Sequence, residues 1–413
     1  MVAQRSLILA LILMFISTPV SVARASEYEQ RVFSPDPAVM GQGGAAVATA
    51  TGYTALFANP AGFAQPSGEF TVLSGRSWVH ARSSEALTVT RLLVRDRTVP
   101  EDSDTYRRLE RAFRRNGLGA GTSLGIAYVG RGLGIGLHTT ADGFLYGQSF
   151  DDGSGTLSTE TSLVGGLAFP FEIGPVRVQL GAAARPLIRV HSIIDADDED
   201  TAAGSRALVQ HFLGLETGYD GDDYAAELRE TYYGYGVGVD AGLQLFWNDW
   251  TVGAAVRDIG DTALNYSRTD MRTVLEELKR GALPPEAEED EEGYVERGVR
   301  KLPMHGTVGI AYAPDTGDWA GRIDPRFQVE LDDVFQRVHP GLPPESRINL
   351  GVELLFFRSV ALRGGVHQGY LTAGAGIDLP GIEINAAVFS RELGSGFREE
   401  RSSTAALEFA IRF

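Results

Sequence analysis

The sequence predicts an all-β protein: a transmembrane antiparallel up-and-down β-barrel of about 14 strands, with a small N-terminal hatch inside its lumen. Three observations predict it: an apolar segment that starts the chain, strands that alternate apolar and polar residues, and connections that alternate in length. Fifteen segments from Glu69 onward have strand patterns, whereas a bacterial single-chain barrel has an even number. We therefore predict fourteen strands, with sixteen as the alternative, and the alternation is least regular over residues 69–95.

The composition limits the possible functions before any motif is considered. The chain has 413 residues, of which 50 are glycine and none is cysteine, and its formal net charge is −17. The acidic balance argues against a nucleic-acid partner, which requires a basic face. The lack of cysteine excludes disulfides, thiolate metal sites and cysteine nucleophiles. Most glycines lie inside alternating apolar runs, where they weaken a strand and indicate a close approach by another segment.

The start of the chain has the pattern of a cleaved export signal. Arg5 precedes an apolar run over Leu7–Val20, and Ala23–Ala25 offers the small residues that signal peptidase recognises. The apolar run has about fourteen residues, fewer than the roughly twenty of a membrane-spanning helix. We predict that residues 1–25 form a signal peptide that is cleaved after Ala25. Because no later run of eighteen residues is wholly apolar, a closed barrel is the remaining way to span a bilayer.

The last ten residues, Thr404–Phe413, show the strand pattern most clearly. One face is apolar and the other is polar or small, and about ten residues is the length of a tilted membrane strand. The same alternation recurs in residues 176–185, 233–245, 348–356, 360–367 and 382–388. In a membrane barrel the polar face lines the lumen and the apolar face contacts lipid. The alternative, a soluble secreted β-protein, would need a very large core to bury these faces.

The connections between the predicted strands alternate between tight turns and long polar stretches. Trp247–Trp250 is a tight turn with a tryptophan at each end, where an interfacial aromatic girdle would lie. We assign residues 69–413 to the barrel, with long extracellular loops at 141–160, 191–230 and 259–302. The acidic runs at 195–200 and 286–292 fit solvated loops better than calcium sites, because like-charge blocks stay hydrated.

Two short motifs match catalytic or cofactor-binding signatures but lack the required context. Gly121–Gly125 matches G-x-S-x-G, yet its residues continue a strand instead of making the strand-to-helix turn of a nucleophile elbow. Gly41–Ala46 matches the loose dinucleotide form G-x-G-x-x-A, but the proline-containing residues before it are not a strand. We therefore predict no enzymatic activity, no catalytic residues, no metal site and no cofactor.

The segment before the first strand has a different composition from the barrel. We predict that residues 26–68 form a hatch, because Ala38–Gly68 is rich in small residues that pack compactly; an ordinary linker is the alternative. Asparagine before proline favours a turn, and a following glycine can adopt conformations that other residues avoid. The candidate hatch residues are Gly41, Gly43, Gly44, Asn59, Pro60, Ala61 and Gly62.

Two motifs in this segment carry a resemblance to a known family. Met40–Ala45 reads MGQGGA and Leu56–Phe63 reads LFANPAGF. Shortly after an export signal, these motifs resemble the FadL superfamily of outer-membrane transporters, and equally its PorV-like and UPF0164-like relatives. Val256–Gly260 is similar to the xxNIG end of a middle strand in that superfamily, with Asp258 where asparagine is commoner.

A further stretch near the C-terminus is similar to the PorV-like branch. Val360–Val366, followed by Leu371–Ile377, resembles a hairpin of that branch, with Val366 in place of the usual aromatic residue. The resemblance therefore spans most of the mature chain, although each motif is short.

The resemblance implies a fourteen-strand barrel in the cell outer membrane, with a hatch that plugs the lumen. It implies transport of hydrophobic or amphipathic small molecules, such as long-chain fatty acids or aromatics, with exit through a gap at a strand kink. The PorV-like branch implies instead a protein-binding barrel in secretion or envelope assembly, with exported proteins as partners. Asn59–Gly62 is common to both branches and does not separate them.

Further candidate residues lie on the predicted lumen face and at the C-terminus. One lumen arginine could face the acid headgroup of a substrate, although pairing with lumen carboxylates is the interpretation we favour; the three candidates are Arg177, Arg185 and Arg363. The end of the terminal strand resembles the signal read by the barrel-assembly machinery, with Phe409, Ile411 and Phe413. The predicted partners are outer-membrane lipid, the barrel-assembly machinery and a hydrophobic small molecule or, alternatively, an exported protein.

Overall fold

The structure, a computed structural model, describes residues 28–81, 104–147, 153–194, 231–269, 274, 276–277, 280, 297–338, 343–392, 397–398 and 401–413. The predicted signal peptide, its cleavage site after Ala25 and the acidic runs at 195–200 and 286–292 lie outside these residues. Within them, no helix combines the length and the apolar character needed to cross a membrane.

Antiparallel strands make up most of the described chain. Neighbouring strands are hydrogen-bonded, and β1 pairs with β16 to close the ring. The strands are β1 (Glu69–Ala81), β2 (Leu118–Gly130), β3 (Leu133–Gly147), β4 (Gly153–Ile173), β5 (Val176–Ile194), β6 (Thr231–Trp247), β7 (Trp250–Arg257), β8 (Thr262–Thr269), β9 (Arg297–Leu302), β10 (His305–Tyr312), β11 (Ile323–Leu331), β12 (Ile348–Phe356), β13 (Val360–His367), β14 (Tyr370–Leu379), β15 (Ile382–Glu392) and β16 (Arg401–Arg412).

Two positions in the barrel wall are each filled by two strand segments. β7 pairs with residues 241–247 of β6, and β8 pairs with residues 231–235 of the same strand. β9 pairs with β8, and after Pro303 and Met304 the chain continues as β10 beside β7. The sixteen described segments therefore fill fourteen positions. The predicted antiparallel barrel of fourteen strands is confirmed, and sixteen counts segments only.

The irregular alternation at the start of the barrel has a physical cause in β1. The register of this strand shifts after Thr71 against both of its neighbours, and such a shift locally changes which face a side chain occupies. Beyond the shift, Arg76, Trp78 and His80 are all buried on the inner face. These three large polar or aromatic residues on the inner face make the alternation of apolar and polar residues in β1 hard to recognise in the sequence.

The two faces of the wall differ in polarity: the outer face is apolar and the inner face is polar, as a membrane requires. Large apolar side chains are exposed on the outside, including Leu163, Phe169, Val237, Leu371 and Leu407. Charged and amide side chains are buried on the inside, including Arg185, Asp240, Gln328, Asn385 and Glu408. A water-soluble protein would have the opposite arrangement, because exposing apolar surface to water is unfavourable. The wall is that of a transmembrane barrel.

The terminal strand, β16, closes this ring with apolar side chains facing outward and polar or small side chains facing inward, as the sequence predicts. Leu407 and Phe409 are exposed on the outer face, while Glu408 is buried on the inner face. The backbone N–H of Phe70 donates to the carbonyl of Phe413 at 2.8 Å, and the N–H of Phe413 donates to the carbonyl of Phe70 at 3.0 Å. The last residue of the chain is therefore part of the barrel seam.

One predicted loop, 141–160, is shorter than the sequence pattern indicated. β3 continues to Gly147 and β4 begins at Gly153, so both predicted ends are wrong. These strand ends carry polar residues that pair across the sheet, as where the Ser158 hydroxyl lies 2.8 Å from His191 Nδ1. Without the apolar alternation of a membrane strand, the pattern could not reveal them.

The other two predicted loops also begin or end later than expected. β5 continues to Ile194, within the predicted loop 191–230. The predicted loop 259–302 contains β8 and β9, which form a hairpin in which Thr262 pairs with Leu302. Strands on this side of the barrel are long, and β4 alone has 21 residues against 9 in β12. The rim at the long-loop end is therefore uneven.

Short helices make up most of the regular structure before β1. These are α1 (Pro37–Gly41), α2 (Gly52–Ala58) and a 3₁₀ helix (Pro60–Ala64). Asp36 begins α1 as its N-cap, and its carboxylate accepts hydrogen bonds from the N–H groups of Ala38 and Val39 at 3.0 and 3.2 Å, which satisfies donors that a helix start leaves open. A further helix, α3 (Asp104–Asn116), lies between β1 and β2.

Candidate functional site

Residues 28–68, called the N-terminal segment below, lie inside the ring against the inner face of the wall. The MGQGGA motif forms a tight turn there, in which Gly43 and Gly44 have φ angles of 78° and 80°, values that side chains with a Cβ rarely adopt. The Thr372 hydroxyl on β14 donates to the carbonyl of Gly41 and accepts from the N–H of Gly43, both at 3.1 Å. The backbone of the turn is thus hydrogen-bonded to a side chain of the wall.

The wall itself is glycine where this turn contacts it. Gly351 on β12 and Gly365 on β13 lie directly opposite each other in the sheet. A Cβ on Gly351 would overlap the carbonyl oxygen of Gln42, and a Cβ on Gly365 would lie 2.6 Å from the amide nitrogen of Gly43. We call Gly351 and Gly365 the first glycine window. Lacking side chains, they let two backbones touch.

The NPAG motif joins two parts of the N-terminal segment to the opposite wall. The Asn59 amide donates to the carbonyls of Val47 and Leu243 at 2.8 and 3.0 Å, and its oxygen accepts from the N–H of Ala61 at 3.0 Å. Asn59 and Ala61 have no exposed surface. All the hydrogen-bonding groups of this asparagine amide are therefore used in holding the segment.

A second pair of facing glycines receives this motif. Gly181 on β5 and Gly242 on β6 lie opposite each other. A Cβ on Gly242 would overlap Asn59 Oδ1, and a Cβ on Gly181 would overlap the carbonyl of Pro60. We call Gly181 and Gly242 the second glycine window. Gly62 is also confined, because a Cβ there would overlap a backbone carbonyl oxygen of the segment itself.

A buried carboxylate holds the stretch between the two motifs. Glu330 on β11 is 6% exposed, and its Oε2 accepts hydrogen bonds from the N–H groups of Ala46 and Val47, both at 2.7 Å. Leaving buried N–H groups without an acceptor costs roughly 1–3 kcal/mol each. Glu330 therefore stabilises the docked position of the segment.

Ion pairs fix the first helix of the segment to β1 and β16. Arg76 pairs with Asp36 at 2.7 Å and with Glu408 at 3.0 Å, and Arg412 pairs with Glu408 at 2.8 Å. Arg76 also lies 5.3 Å from the ring of Tyr53, a distance at which a cation is attracted to an aromatic face. The helix cap and the barrel seam thus share one charge network.

Tyr53 in α2 shows how little solvent reaches this region. Burial raises the pKa of its phenol to about 12, because the phenolate would lose its hydration. The neutral hydroxyl lies 2.9 Å from His138 Nδ1 on β3. Tyr53 is therefore a protonated hydrogen-bonding group that links the segment to the wall.

The break between β7 and β8 is occupied by the start of the segment. Asp258 lies there with φ of 53° and no exposed surface. Its carboxylate pairs with Arg31 of the segment and with Arg185 of β5, the latter at 2.6 Å, and it accepts a hydrogen bond from the Thr262 hydroxyl at 2.7 Å. Asp258 thus makes the turn between β7 and β8, and its carboxylate also holds the N-terminal segment at Arg31.

On the long-loop side of the segment, the lumen contains a cavity of about 880 Å³. Such a volume is within the range of small-molecule sites. The strip Glu29–Phe33 forms part of its lining, and the remainder comes from the wall. The described wall residues that line it are His80, Asp142, Phe144, Thr156, Ser158, Arg189, His191, Ile193, Tyr232, Tyr266, Gly298, Arg300 and Arg391. We call this cavity the lumen pocket.

None of the three arginines proposed from sequence lines the lumen pocket. Arg177 is exposed at the short-turn end, with its guanidinium 4.4 Å from the ring of Phe246. Arg185 pairs with carboxylates, as described above, and Arg363 pairs with Glu353 at 2.7 Å. The favoured alternative, pairing with lumen carboxylates, thus describes the geometry of two of them.

Arg391 is one of the four arginines that do line the lumen pocket, and it was not predicted from the sequence. The predicted alternation ended at Val388, but β15 continues to Glu392. Because Asn385 points into the lumen, two-residue periodicity also places Phe389 and Arg391 there. Extending the pattern by three residues would have found this side chain.

The described residues contain no group of three or more histidine, aspartate and glutamate side chains placed to hold a metal ion. Several charged groups in the lumen are paired with each other, as Arg76 is with Glu408 and Arg363 with Glu353. Their arrangement is suited to binding: a closed base, a cavity above it, and aromatic and cationic side chains around that cavity.

Comparison with known proteins finds similarity in architecture only. No protein-family model matches the chain, and no curated protein sequence matches it. Among solved structures, the chain is similar to the Pseudomonas putida toluene transporter TodX, with 14% identity, coverage of 94% of this chain and 98% of that one, and a TM-score of 0.44.

Two further structures have comparable similarity. One is the CymD monoaromatic hydrocarbon channel, with 13% identity, coverage of 91% and 96%, and a TM-score of 0.49. The other is a Pseudomonas aeruginosa FadL homologue, with 13% identity, coverage of 92% and 98%, and a TM-score of 0.44. Similarity at this level does not identify a substrate.

Proposed function

We propose that the chain is an outer-membrane transporter for hydrophobic or amphipathic small molecules, with the N-terminal segment as its plug. The observation that carries this proposal is the lumen pocket on one side of a segment docked tightly against the wall. An open pore for ions or sugars would need a continuous aqueous passage, whereas a closed base below a binding cavity suits a selective carrier of individual molecules.

The docking of the segment supports its role as a plug. At the first glycine window the backbone of the segment lies against the backbone of the wall, and at the second window the Asn59 side chain and the Pro60 carbonyl lie against wall glycines. Glu330 and the ion pairs of Arg76 add polar attachments on two other parts of the wall. Transport then requires part of this segment to move, because its contacts lie on opposite sides of the lumen.

The same proposal covers features that the described residues do not test. Residues 1–25 would direct export and be removed after Ala25, and Phe413 with Phe409 and Ile411 would be read by the barrel-assembly machinery. The acidic runs in the long loops would lie on the extracellular side. These assignments rest on the sequence patterns and on the barrel architecture.

Uptake into liposomes tests the proposal directly. The purified full chain is reconstituted, and entry of an aromatic hydrocarbon and of a long-chain fatty acid is compared with entry of a small sugar. We expect faster entry of at least one apolar compound than in protein-free liposomes, with no gain for the sugar. Rates equal to those of protein-free liposomes for both apolar compounds would reject the transporter.

A protein-binding barrel in secretion or envelope assembly is the alternative function. Its predicted docking surfaces, the acidic loops, lie mostly outside the described residues, so no described contact favours it. Retention of exported proteins on the purified barrel, together with no uptake of either apolar compound, would support that alternative.

A further inference from the structure

We propose that the lumen pocket is a binding site for aromatic carboxylates, with the carboxylate on Arg391 and the aromatic ring against Phe33 and Phe144. This inference rests on the proposed function, since it names the substrate class of that pocket. It rests on three observations about the pocket: a guanidinium with no ion-pair partner among the described residues, lining carboxylates that are bound to other groups, and an apolar lining made mostly of rings.

The first observation is that Arg391 has no ion-pair partner among the described residues. Its guanidinium carbon lies 3.9 Å from the ring centre of Phe33, and its Nε is buried without a hydrogen bond. No ion pair or hydrogen bond from its side chain is found within the described part of the chain. A buried cation without a partner is costly, and a bound carboxylate would supply the missing partner.

Other arginines of the pocket differ from Arg391 in this respect. Arg31 pairs with Asp258, and Arg189 pairs with Glu160 and Glu29. These groups hold the N-terminal segment in place. Arg391, in contrast, is anchored by an aromatic face, which leaves the terminal nitrogens of its planar guanidinium for two parallel bonds to a carboxylate.

The second observation is the charge of the lining. Four arginines and two carboxylates line the pocket, and two of the arginines, Arg31 and Arg189, are paired with Asp258 and Glu160, which are not part of the lining. Both lining carboxylates are already bound. Asp142 accepts from Trp78 Nε1 at 2.7 Å and lies 3.1 Å from His80 Nε2, and Glu29 accepts from the Tyr266 hydroxyl at 2.8 Å. Neither lining carboxylate is hydrogen-bonded to or ion-paired with Arg391, so its guanidinium is available to an anion.

The third observation is the shape of the apolar surface. Val32 and Ile193 are the only aliphatic side chains with three or more carbons in the described lining, whereas Phe33, Phe144 and other rings supply the rest. The ring of His80 is stacked on Phe144 at 5.4 Å, and Phe33 meets His80 edge-on at 5.6 Å. A flat ring fits between such faces in the offset or edge-on geometry that aromatic pairs prefer.

A long alkyl chain fits this lining less well. It would cover charged and polar groups such as Arg189 and Ser158 without bonding to them, and burying polar groups in that way is unfavourable. An aromatic acid uses both parts of the site, because its ring and its carboxylate are only a few ångströms apart, as are Phe33 and Arg391.

Calorimetric titration of the purified full chain in a zwitterionic detergent tests the inference. The probes are 2-naphthoate, its neutral counterpart 2-naphthalenemethanol, and hexadecanoate. We expect naphthoate to bind at least about tenfold more tightly than the alcohol, in line with the strength of hydrogen bonds to charged groups. Equal affinities in the native protein would overturn the proposal without any mutant.

Variants then locate the carboxylate. Arg391→Gln should weaken naphthoate binding by about tenfold or more and leave the alcohol unchanged, while Arg391→Lys should restore part of the affinity. Arg177→Gln, at the opposite end of the barrel, is the matched control. Naphthoate binding that is unchanged in Arg391→Gln, with the variant shown to be folded by its heat-dependent gel shift, would place the ligand elsewhere.

The outcomes separate this inference from the proposed function. Uptake of apolar compounds without a preference for the acid would leave the transporter standing and reject the aromatic carboxylate. Tight naphthoate binding without uptake of any compound would support the aromatic-carboxylate site and reject the transporter. Hexadecanoate binding more tightly than naphthoate would also reject the assignment.

Discussion

Gly351 and Gly365 face each other across β12 and β13, and the backbone of the N-terminal segment lies directly against both. The second glycine window repeats this arrangement on the far side of the lumen. The segment is therefore positioned by two close contacts with facing glycines that leave no room for a side chain on the wall, and by polar attachments between them.

A single methyl group in a glycine window should displace the segment. In Gly242→Ala the new Cβ would overlap Asn59 Oδ1, and overpacking of this kind costs about 1–3 kcal/mol. We expect faster hydrogen exchange over residues 45–62 and a lower unfolding temperature. Gly165→Ala is the matched control, because a Cβ on that exposed glycine of β4 would meet no atom within 4 Å. Equal exchange in the two variants would contradict the docking role of the window.

Removing the Glu330 carboxylate should release the same segment by a different route. Glu330→Ala leaves the N–H groups of Ala46 and Val47 buried without an acceptor, at a cost of roughly 1–3 kcal/mol each. Glu330→Gln retains an oxygen that can accept from both and should have a smaller effect. Hydrogen exchange at these two amides is the measurement, with Glu172→Ala, at an exposed position, as control. A Gln variant as exchangeable as the Ala variant would show that charge, and not the acceptor, holds the segment.

Asp258 should be more sensitive to substitution than its place beside a strand break suggests. Asp258→Ala would leave Arg31 and Arg185 without their shared carboxylate, and removing one member of a buried ion pair costs about 3–5 kcal/mol. Asparagine tolerates positive φ, so Asp258→Asn should lose less. Tryptic cleavage after Arg31 in the folded barrel measures the release of the strip Glu29–Phe33 from the barrel wall. Resistance equal to that of the native protein in both variants would refute this anchor.

The C-terminal residue allows assembly to be separated from stability. The Phe413 side chain is 73% exposed, while its backbone closes the seam with Phe70. Phe413→Ala should therefore fold in detergent nearly as well as the native chain but reach the outer membrane in lower amount. Phe357→Ala, which removes an equally exposed ring at 73%, is the control. Equal amounts of both variants in the membrane fraction would argue against Phe413 as an assembly signal.

The barrel could be predicted from the sequence because its wall obeys one simple rule. Residues such as Leu407 and Phe409 must face lipid, so alternation in the membrane region is imposed by the surroundings. The same rule fails outside the bilayer, where the polar residues Ser158 of β4 and His191 of β5 pair across the sheet. Strand ends and loop lengths were therefore mispredicted where the membrane no longer selects residues.

The candidate site was predictable only in part, for a related reason. A glycine-rich motif signals a close approach, but not the glycines that it will meet, since Gly181 and Gly242 lie far from Asn59 in sequence. Likewise, the alternation of side chains along a strand predicts that an arginine faces the lumen, but it does not predict the partner of that arginine. Arg185 and Arg391 are both lumen residues, and only the fold brings two aspartates to the first and an aromatic ring to the second.

The lengths of the strands also determine how far into the lumen an anion would have to travel to reach Arg391. Trp247 and Trp250 pair at the short-turn end, where tryptophan marks one boundary of the hydrocarbon layer. Arg391 lies nine residues above Ile382, the first residue of β15, which is about 23 Å along the barrel axis at the usual rise and tilt. The apolar band of such barrels is about 25 Å tall. The guanidinium of Arg391 is thus held near the level of the lipid headgroups at the long-loop end, so a carboxylate could reach it before giving up most of its contact with water.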